Sequence, residues 1–582
     1  MSNPDPVAKR IVICCDGTWQ SSVSGVANIP SNVTRLCRSI DRAGEDKDGK
    51  IWQQVVYYDS GVGTGSLLDL EKKRQGAIGD GLAVNVIEAY NFIVLNYSPG
   101  DEIFCFGFSR GAYTARAVAG LIGDIGIMEP RNMQDFPEVY DLYKKHIPKK
   151  ETGYVQKPFR ESQAWKDFTE GKIATTPEAK KLNEELDKHW RKTSDEEKRM
   201  LFEIRPHGDL AISEESRSVK VVGVWDTVGA LGVPDGLFLD HSDTRVQYSF
   251  HNVKLNENIE NAFQALALDE RRKAFSPTLW YIPKDPLTEV ELQKDGEPSK
   301  DGHPLKGEDP TKDHLPKNEN SQTKKKSNLL QVWFPGVHIN VGGGSSDTAE
   351  GKGDAEQIAI ITFVWMVECV RPYLAFKENA LQISLIEYTK LLGDLHCKNY
   401  HHHDPSKQPN ILSQAFNAVY NSIPYIGGVS EPEAPVELGW GTANYNDSFK
   451  GLMAFPGAKV RKPGQCETEV VVEDTHFLTR NRYLKLKSTS LKALGETNEM
   501  VHPVARFRRD KLNQDTGGLQ GWKHRYREDE KPGFEWYLPG GDVVLKEYII
   551  QRDSIERELV CGVEEATKFL KDTDIGNQLP VE

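Results

Sequence analysis

The chain reads as an α/β protein built on a mainly parallel sheet with helices on both faces. Two observations predict this. Short apolar runs end at Asp, Gly or Ser, as buried strands do, and the segments between them space their apolar residues as helices do. Strands that alternate with helices in this way make parallel βαβ units.

Residues 11–15 (IVICC) are the first such run and lead into Asp16, Gly17 and Thr18. The second, Val55 to Tyr58 (VVYY), stops at Asp59-Ser60-Gly61-Val62-Gly63. From Gly81 to Tyr97 the residues Val84, Ile87, Tyr90, Ile93 and Val94 recur at helical spacing, and Ser98-Pro99-Gly100 closes the segment. Glu102 to Phe106 (EIFCF) predicts the next strand, with a helix beginning near Gly111. Residues 129–215 break the alternation. Rich in Lys, Glu, Trp and Tyr, they read as a helical insertion over the sheet, either a lid or a solvated helix pair. The sheet pattern resumes with Val219 to Val224, ending at Trp225-Asp226-Thr227. Residues 297–328 hold almost no apolar side chain and predict a disordered surface loop. Leu329 to Phe334 (LLQVWF) is a further strand, followed by a glycine-rich loop and a helix over 355–370. Beyond about residue 375 this signal weakens. Residues 376–582, with Trp, Gly and Pro-rich stretches and an amphipathic helix over 554–572, read as an accessory C-terminal region.

The bulk composition narrows the function. A net charge of -13 argues against a nucleic-acid partner, because phosphate binding needs clustered Lys and Arg, and against docking on lipid through a polybasic surface. Peripheral contact with lipids as substrate stays open. The eight cysteines form no CxxC pair, so neither a disulfide framework nor a structural zinc site is expected. The polar start MSNPDPVAKR lacks a signal-peptide core, and the longest apolar run, Ile358 to Val367, is too short for a bilayer span. The expectation is a cytoplasmic, reduced protein with no metal and no cofactor. Oligomeric state is left open.

Chemistry enters at Gly107-Phe108-Ser109-Arg110-Gly111, a GxSxG pattern between a predicted strand and a predicted helix. A nucleophile elbow needs small residues on both sides of the serine, because side chains there would collide in the turn. Ser109 would then present its hydroxyl at a helix N-terminus, whose dipole favours developing negative charge. The plainer reading is a strand-to-helix turn. An elbow serine needs an acid and then a histidine further along the chain. Asp226 stands at the end of a buried strand, where a turn-capping role is the alternative. His338, in GVHINVGGG, follows another strand and precedes Gly342, Gly343 and Gly344. The run His401, His402 and His403 lies in a polar stretch and reads as solvated, with His476 and His502 as fallback bases.

The ordered motifs CDGTW, YDSGVGTG, GFSRGAYTAR, VWDTVGALG, ALDERR with FSPTLW, and GVHINVGGG resemble the catalytic domain of the type VI secretion phospholipase effectors (type VI lipase effectors, family one). That domain also occurs in fungal proteins. The resemblance spans residues 9–375, interrupted at 297–328. It implies an α/β-hydrolase fold, a Ser109–Asp226–His338 triad and cleavage of membrane glycerophospholipids or related esters.

Two backbone donors are then needed for the oxyanion. Arg110 N–H is one, and the Gly17-Thr18 loop is the best-placed source of the other, with Asp16 supporting it through its backbone or through Arg110. Two other readings compete. A catalytically silent hydrolase fold could serve binding or signalling. A phosphatase built on Asp16 would need an aspartate nucleophile two residues earlier, where this chain has Cys14.

Overall fold

The computed structural model describes residues 8–17, 29–60, 81–146, 159–169, 214–228, 251–283, 327–345, 348, 353–377, 380, 439–443, 458–475, 482–528 and 532–561. In chain order these begin with β1 (Lys9–Cys15), α1 (Asn32–Ser39), β2 (Ala43–Glu45) and β3 (Ile51–Asp59). Next come α2 (Gly81–Asn96), β4 (Glu102–Phe108), α3 (Arg110–Ile125), α4 (Phe136–Lys145) and α5 (Gln163–Thr169). After β5 (Val219–Trp225), β6 (Ile259–Ala267), β7 (Ile282–Pro283) and β8 (Asn328–Phe334) follow α6 (His338–Gly342) and α7 (Gln357–Val370). The remainder holds β9 (Glu467–Thr475), β10 (Arg482–Ser490), β11 (Gly495–Glu496), β12 (Glu499–Val501) and α8 (Pro503–Leu512). The last elements are β13 (Lys523–Arg527), β14 (Gly533–Tyr537), β15 (Val544–Glu547) and α9 (Ile555–Cys561).

Eleven strands form one sheet in the order β13-β14-β15-β12-β8-β6-β5-β4-β1-β3-β2. From β3 across to β15 every neighbouring pair is parallel, and antiparallel pairing is confined to β2 with β3 and to β13, β14 and β15 among themselves. The mainly parallel α/β sheet is therefore as the alternation predicts.

Both faces are covered. Ile11, Ile13 and Cys15 of β1 join one core with Val86, Ala89 and Ile93 of α2 and Ala115, Val118 and Ile122 of α3. The alternate residues Val12 and Cys14 face Val33 and Leu36 of α1 and Ile360, Val364 and Val367 of α7. A strand covered on both sides has to be apolar at successive positions, which is why IVICC reads as it does. The run Ile358–Val367 is a buried helix of that second core. Among the described residues no helix is long and apolar enough to cross a membrane.

Within 129–215 the described parts are helical: 3₁₀ turns at Pro130–Asp135, Phe159–Glu161 and Glu214–Arg217, with α4 and α5 between. The polar run at 297–328 falls outside the described residues apart from its last two, and of the predicted terminal helix only 554–561 falls inside, with Ile555–Cys561 helical. Four strands of the region after residue 375 continue the same sheet through the pairing of β12 with β8.

Candidate active site

Ser109 makes the whole strand-to-helix reversal, since β4 ends at Phe108 and α3 begins at Arg110. It does so at φ 59° and ψ −121°. Such a backbone costs a non-glycine residue about 1–3 kcal/mol and persists only where its surroundings fix it. The fixing contacts are visible. The Ser109 N–H donates to the Trp225 carbonyl at 3.1 Å. A Cβ added to Gly107 would lie 2.4 Å from the Gly111 carbonyl oxygen, and one on Gly111 would lie 2.2 Å from the Cys15 carbonyl oxygen. The two flanking glycines are thus steric requirements: the turn folds against itself and against the end of β1.

Asp226 follows β5 directly, fully buried at φ 43°. His338 follows β8 and is the first residue of α6, so a short helix stands where the sequence predicts only a glycine-rich loop. The glycines close that helix, with Gly343 at φ 75° and Gly344 at φ 84°. His338 Nδ1 lies 2.6 Å from Asp226 Oδ2, and His338 Nε2 lies 2.7 Å from Ser109 Oγ. A carboxylate only accepts, so Nδ1 carries the proton and Nε2 is left to accept from the Ser109 hydroxyl. The Phe108 and Phe275 rings each sit 4.8 Å from the imidazole and restrict its plane.

Residues beyond these three hold the row in place. Burial would raise the pKa of Asp226, but the Arg461 guanidinium, helped by the His338 hydrogen bond, outweighs it and keeps the carboxyl well below the usual range. Arg461 lies 235 residues away in a Lys and Pro-flanked stretch, and no sequence signal marks it. The ALDERR motif supports the His338 turn from below. Asp269 accepts the Gly336 N–H at 2.6 Å, and Glu270 accepts the His338 N–H at 3.2 Å. Glu270 is in turn paired with Arg272 at 2.7 Å.

Asp16 is buried beside the elbow. Its Oδ1 accepts the Gly17 N–H at 2.7 Å, and its Oδ2 accepts from Ser31 Oγ at 2.6 Å, Tyr58 Oη at 2.7 Å and Thr34 Oγ1 at 2.9 Å. Burial raises its pKa, with those four donors acting in the opposite direction. A Cβ on Gly17 would lie 2.7 Å from the Phe108 ring, so this loop presses on the residue before Ser109. Arg110 begins α3, at the positive end of the helix dipole. Thr18 lies outside the described residues, as do His401, His402, His403 and His476. His502 is buried elsewhere, its Nε2 on Glu556 at 2.6 Å and its Nδ1 accepting the Val504 N–H.

The family model for the T6SS phospholipase effector Tle1-like catalytic domain matches residues 9–369. The chain belongs to this Tle1-like family. The family is described by its phospholipase effectors. The uncharacterized protein YEL023C of Saccharomyces cerevisiae is 26% identical over 149 residues, covering 24% of this chain and 20% of its own. A solved structure of the Tle1 effector bound to the VgrG spike aligns at 18% identity and a TM-score of 0.26, covering 59% of this chain and 52% of that one. An uncharacterized protein from Pseudomonas aeruginosa aligns at 14% identity and a TM-score of 0.30, covering 72% and 60%. The chain therefore spans a fifth of the yeast relative and about half to three fifths of the two structures.

Proposed function

We propose that this Tle1-like domain is a serine hydrolase of carboxylic esters, with a phospholipid as its foremost substrate, working through an acyl-enzyme on Ser109. The observation that carries the reading is the hydrogen-bonded row Ser109–His338–Asp226, at 2.7 and 2.6 Å. Ser109 Oγ attacks the ester carbonyl while His338 Nε2 takes its proton, and Asp226 holds the tautomer and balances the imidazolium. The oxyanion rests on the Arg110 N–H and on the Gly17-Thr18 loop that Asp16 steadies. His338 then protonates the leaving alcohol, and a water molecule activated by the same nitrogen releases the acid.

The working division of the chain is a catalytic unit at 9–375, with insertions at 129–215 and 297–328, and an accessory region at 376–582. The protein would reach its lipid or other ester by peripheral contact from the cytoplasm, and the chemistry draws on side chains, backbone N–H groups and water, with no metal or cofactor.

A fluorophosphonate probe tests the reading directly. Wild type should be labelled on Ser109 and should hydrolyse esters, while Ser109→Ala should lose labelling and at least about 10³-fold of its rate. Full hydrolysis by Ser109→Ala would exclude the acyl-enzyme. Absence of both labelling and turnover in wild type would favour a hydrolase fold used for binding.

A further inference from the structure

A strap from the C-terminal region crosses the open end of β6. Ala458 and Arg272 form an antiparallel bridge, and the Lys459 N–H donates to the Arg271 carbonyl at 2.8 Å. Further along, the Gly464 N–H donates to Glu499 at 2.8 Å. Between these ties Arg461 turns inward and is 4% exposed. All four of its terminal N–H bonds find acceptors. Nη1 donates to Asp226 Oδ1 at 2.5 Å and to the Ala267 carbonyl at 2.8 Å. Nη2 donates to Asp226 Oδ2 at 2.9 Å and to the Phe275 carbonyl at 2.7 Å. A planar fork engaging both oxygens of a carboxylate fixes its rotation as well as its charge. That same Oδ2 receives His338 Nδ1.

We propose that Arg461 is a positioning residue for the hydrolysis, acting through Asp226 to aim His338 Nε2 at Ser109, so that the region beyond the matched family domain completes the active site. This rests on the reading of Ser109, His338 and Asp226 as the triad. Arg461 lies outside residues 9–369, and the strap brings to Asp226 a permanent cation that the matched domain leaves to its C-terminal partner region. Without the fork, Asp226 Oδ1 would keep only the Ala267 N–H, at 3.0 Å. A carboxylate held less firmly lets the imidazole swing, and a misplacement of about 1 Å is enough to cost about 100-fold in rate.

The charged surroundings give a second readout. Asp226 faces His338 and Arg461. Glu270 bears on Arg461 and His338 electrostatically but is itself paired with Arg272, and Cys466 bears on Arg461 from the strap. Without Arg461, burial of Asp226 is no longer offset by a cation, and the carboxyl protonates at higher pH.

The test is steady-state hydrolysis of a short-chain p-nitrophenyl ester by the full chain as wild type, Arg461→Met and Arg461→Lys, with a thermal melt of each. Arg461→Met should lose about 100-fold in kcat with KM within about twofold, and Arg461→Lys, with three donors in place of the fork, about tenfold. The acid limb of the kcat profile should move up by about one pH unit in Arg461→Met and by less in Arg461→Lys. A labelled, active wild type whose Arg461 variants keep kcat and profile overturns the proposal and leaves the triad standing, even if the melts fall. A wild type that neither labels nor turns over overturns the triad and this role with it. Should Arg461→Met not fold, Arg461→Lys decides alone: wild-type kcat and profile would overturn the role, and a tenfold loss would support it.

Discussion

Three hydroxyls and one amide N–H converge on Asp16, and asparagine at that position would keep the shape while exchanging one acceptor oxygen for a donor. Whichever way the amide sits, either the Gly17 N–H or the hydroxyls of Ser31, Thr34 and Tyr58 face a nitrogen that cannot accept. Asp16→Asn should therefore loosen the Gly17 loop and lower kcat about tenfold, equivalent to about 1.4 kcal/mol of barrier, while Ser109 still labels with fluorophosphonate. An unchanged kcat would remove Asp16 from the site. At this scale the sequence is readable where a residue's role rests on its neighbours in the chain. Gly107 and Gly111 declare an elbow because they flank the serine directly, although only the clash avoided at Gly107 is local and that at Gly111 is with the end of β1. Asp226 and His338 can be proposed because each follows an apolar run. Arg461 carries no such mark, and Phe275 and Glu270, though they fall in the FSPTLW and ALDERR motifs, do not declare their roles there, since what all three do depends on contacts made across the fold.

The helix that carries His338 has five residues, too few to be stable alone, and its neighbours must hold it. Asn340 does so at both ends of its amide. Its Oδ1 accepts the Val337 N–H at 3.0 Å, and its Nδ2 donates to Asp354 Oδ1 at 2.9 Å. Burial, followed by the charge of Glu356, pushes Asp354 up from its ordinary 3.8 to about 6. The folded state thus keeps a proton to about pH 6 that the unfolded chain releases near 3.8, so this residue's contribution to stability falls as pH rises through that window and is level above it. Asp354→Asn has no such ionisation. The difference in urea-derived stability between wild type and Asp354→Asn should shift by about 2 kcal/mol between pH 4 and pH 6. A difference that stays constant from pH 4 to pH 8 would contradict this. Among the elements covered on both faces, those that burial writes as unbroken apolar runs are legible. β6 is harder to read, since Glu260, Asn261 and Gln264 interrupt its run (IENAFQALA).

Across the whole molecule the region after residue 375 shares the catalytic sheet rather than only packing on it. β12 bonds to β8, the strand that leads to His338, and Leu266 of β6 and Trp333 of β8 lie in one core with Val501, Trp536 and Leu545. The sequence conceals this because the added strands are short and the outermost is charged. KHRYR at the sheet edge is what discourages pairing with another chain, and it carries no apolar pattern. A shared sheet and a shared core make the two regions depend on each other for stability. Trp536 is fully buried in that core, and its indole N–H donates to Glu547, which also pairs with the buried Arg506 at 2.8 Å. Trp536→Ala should destabilise the protein by about 3–5 kcal/mol through the cavity it leaves. Because β12 and β8 share hydrogen bonds, ester hydrolysis and far-UV circular dichroism should be lost in one urea transition, in wild type and at a lower midpoint in Trp536→Ala. Two separated transitions, with hydrolysis surviving the first, would show that the C-terminal strands come away without unmaking the site. That outcome would also place the strap bearing Arg461 on the catalytic side of the division, since the site would still have to keep it.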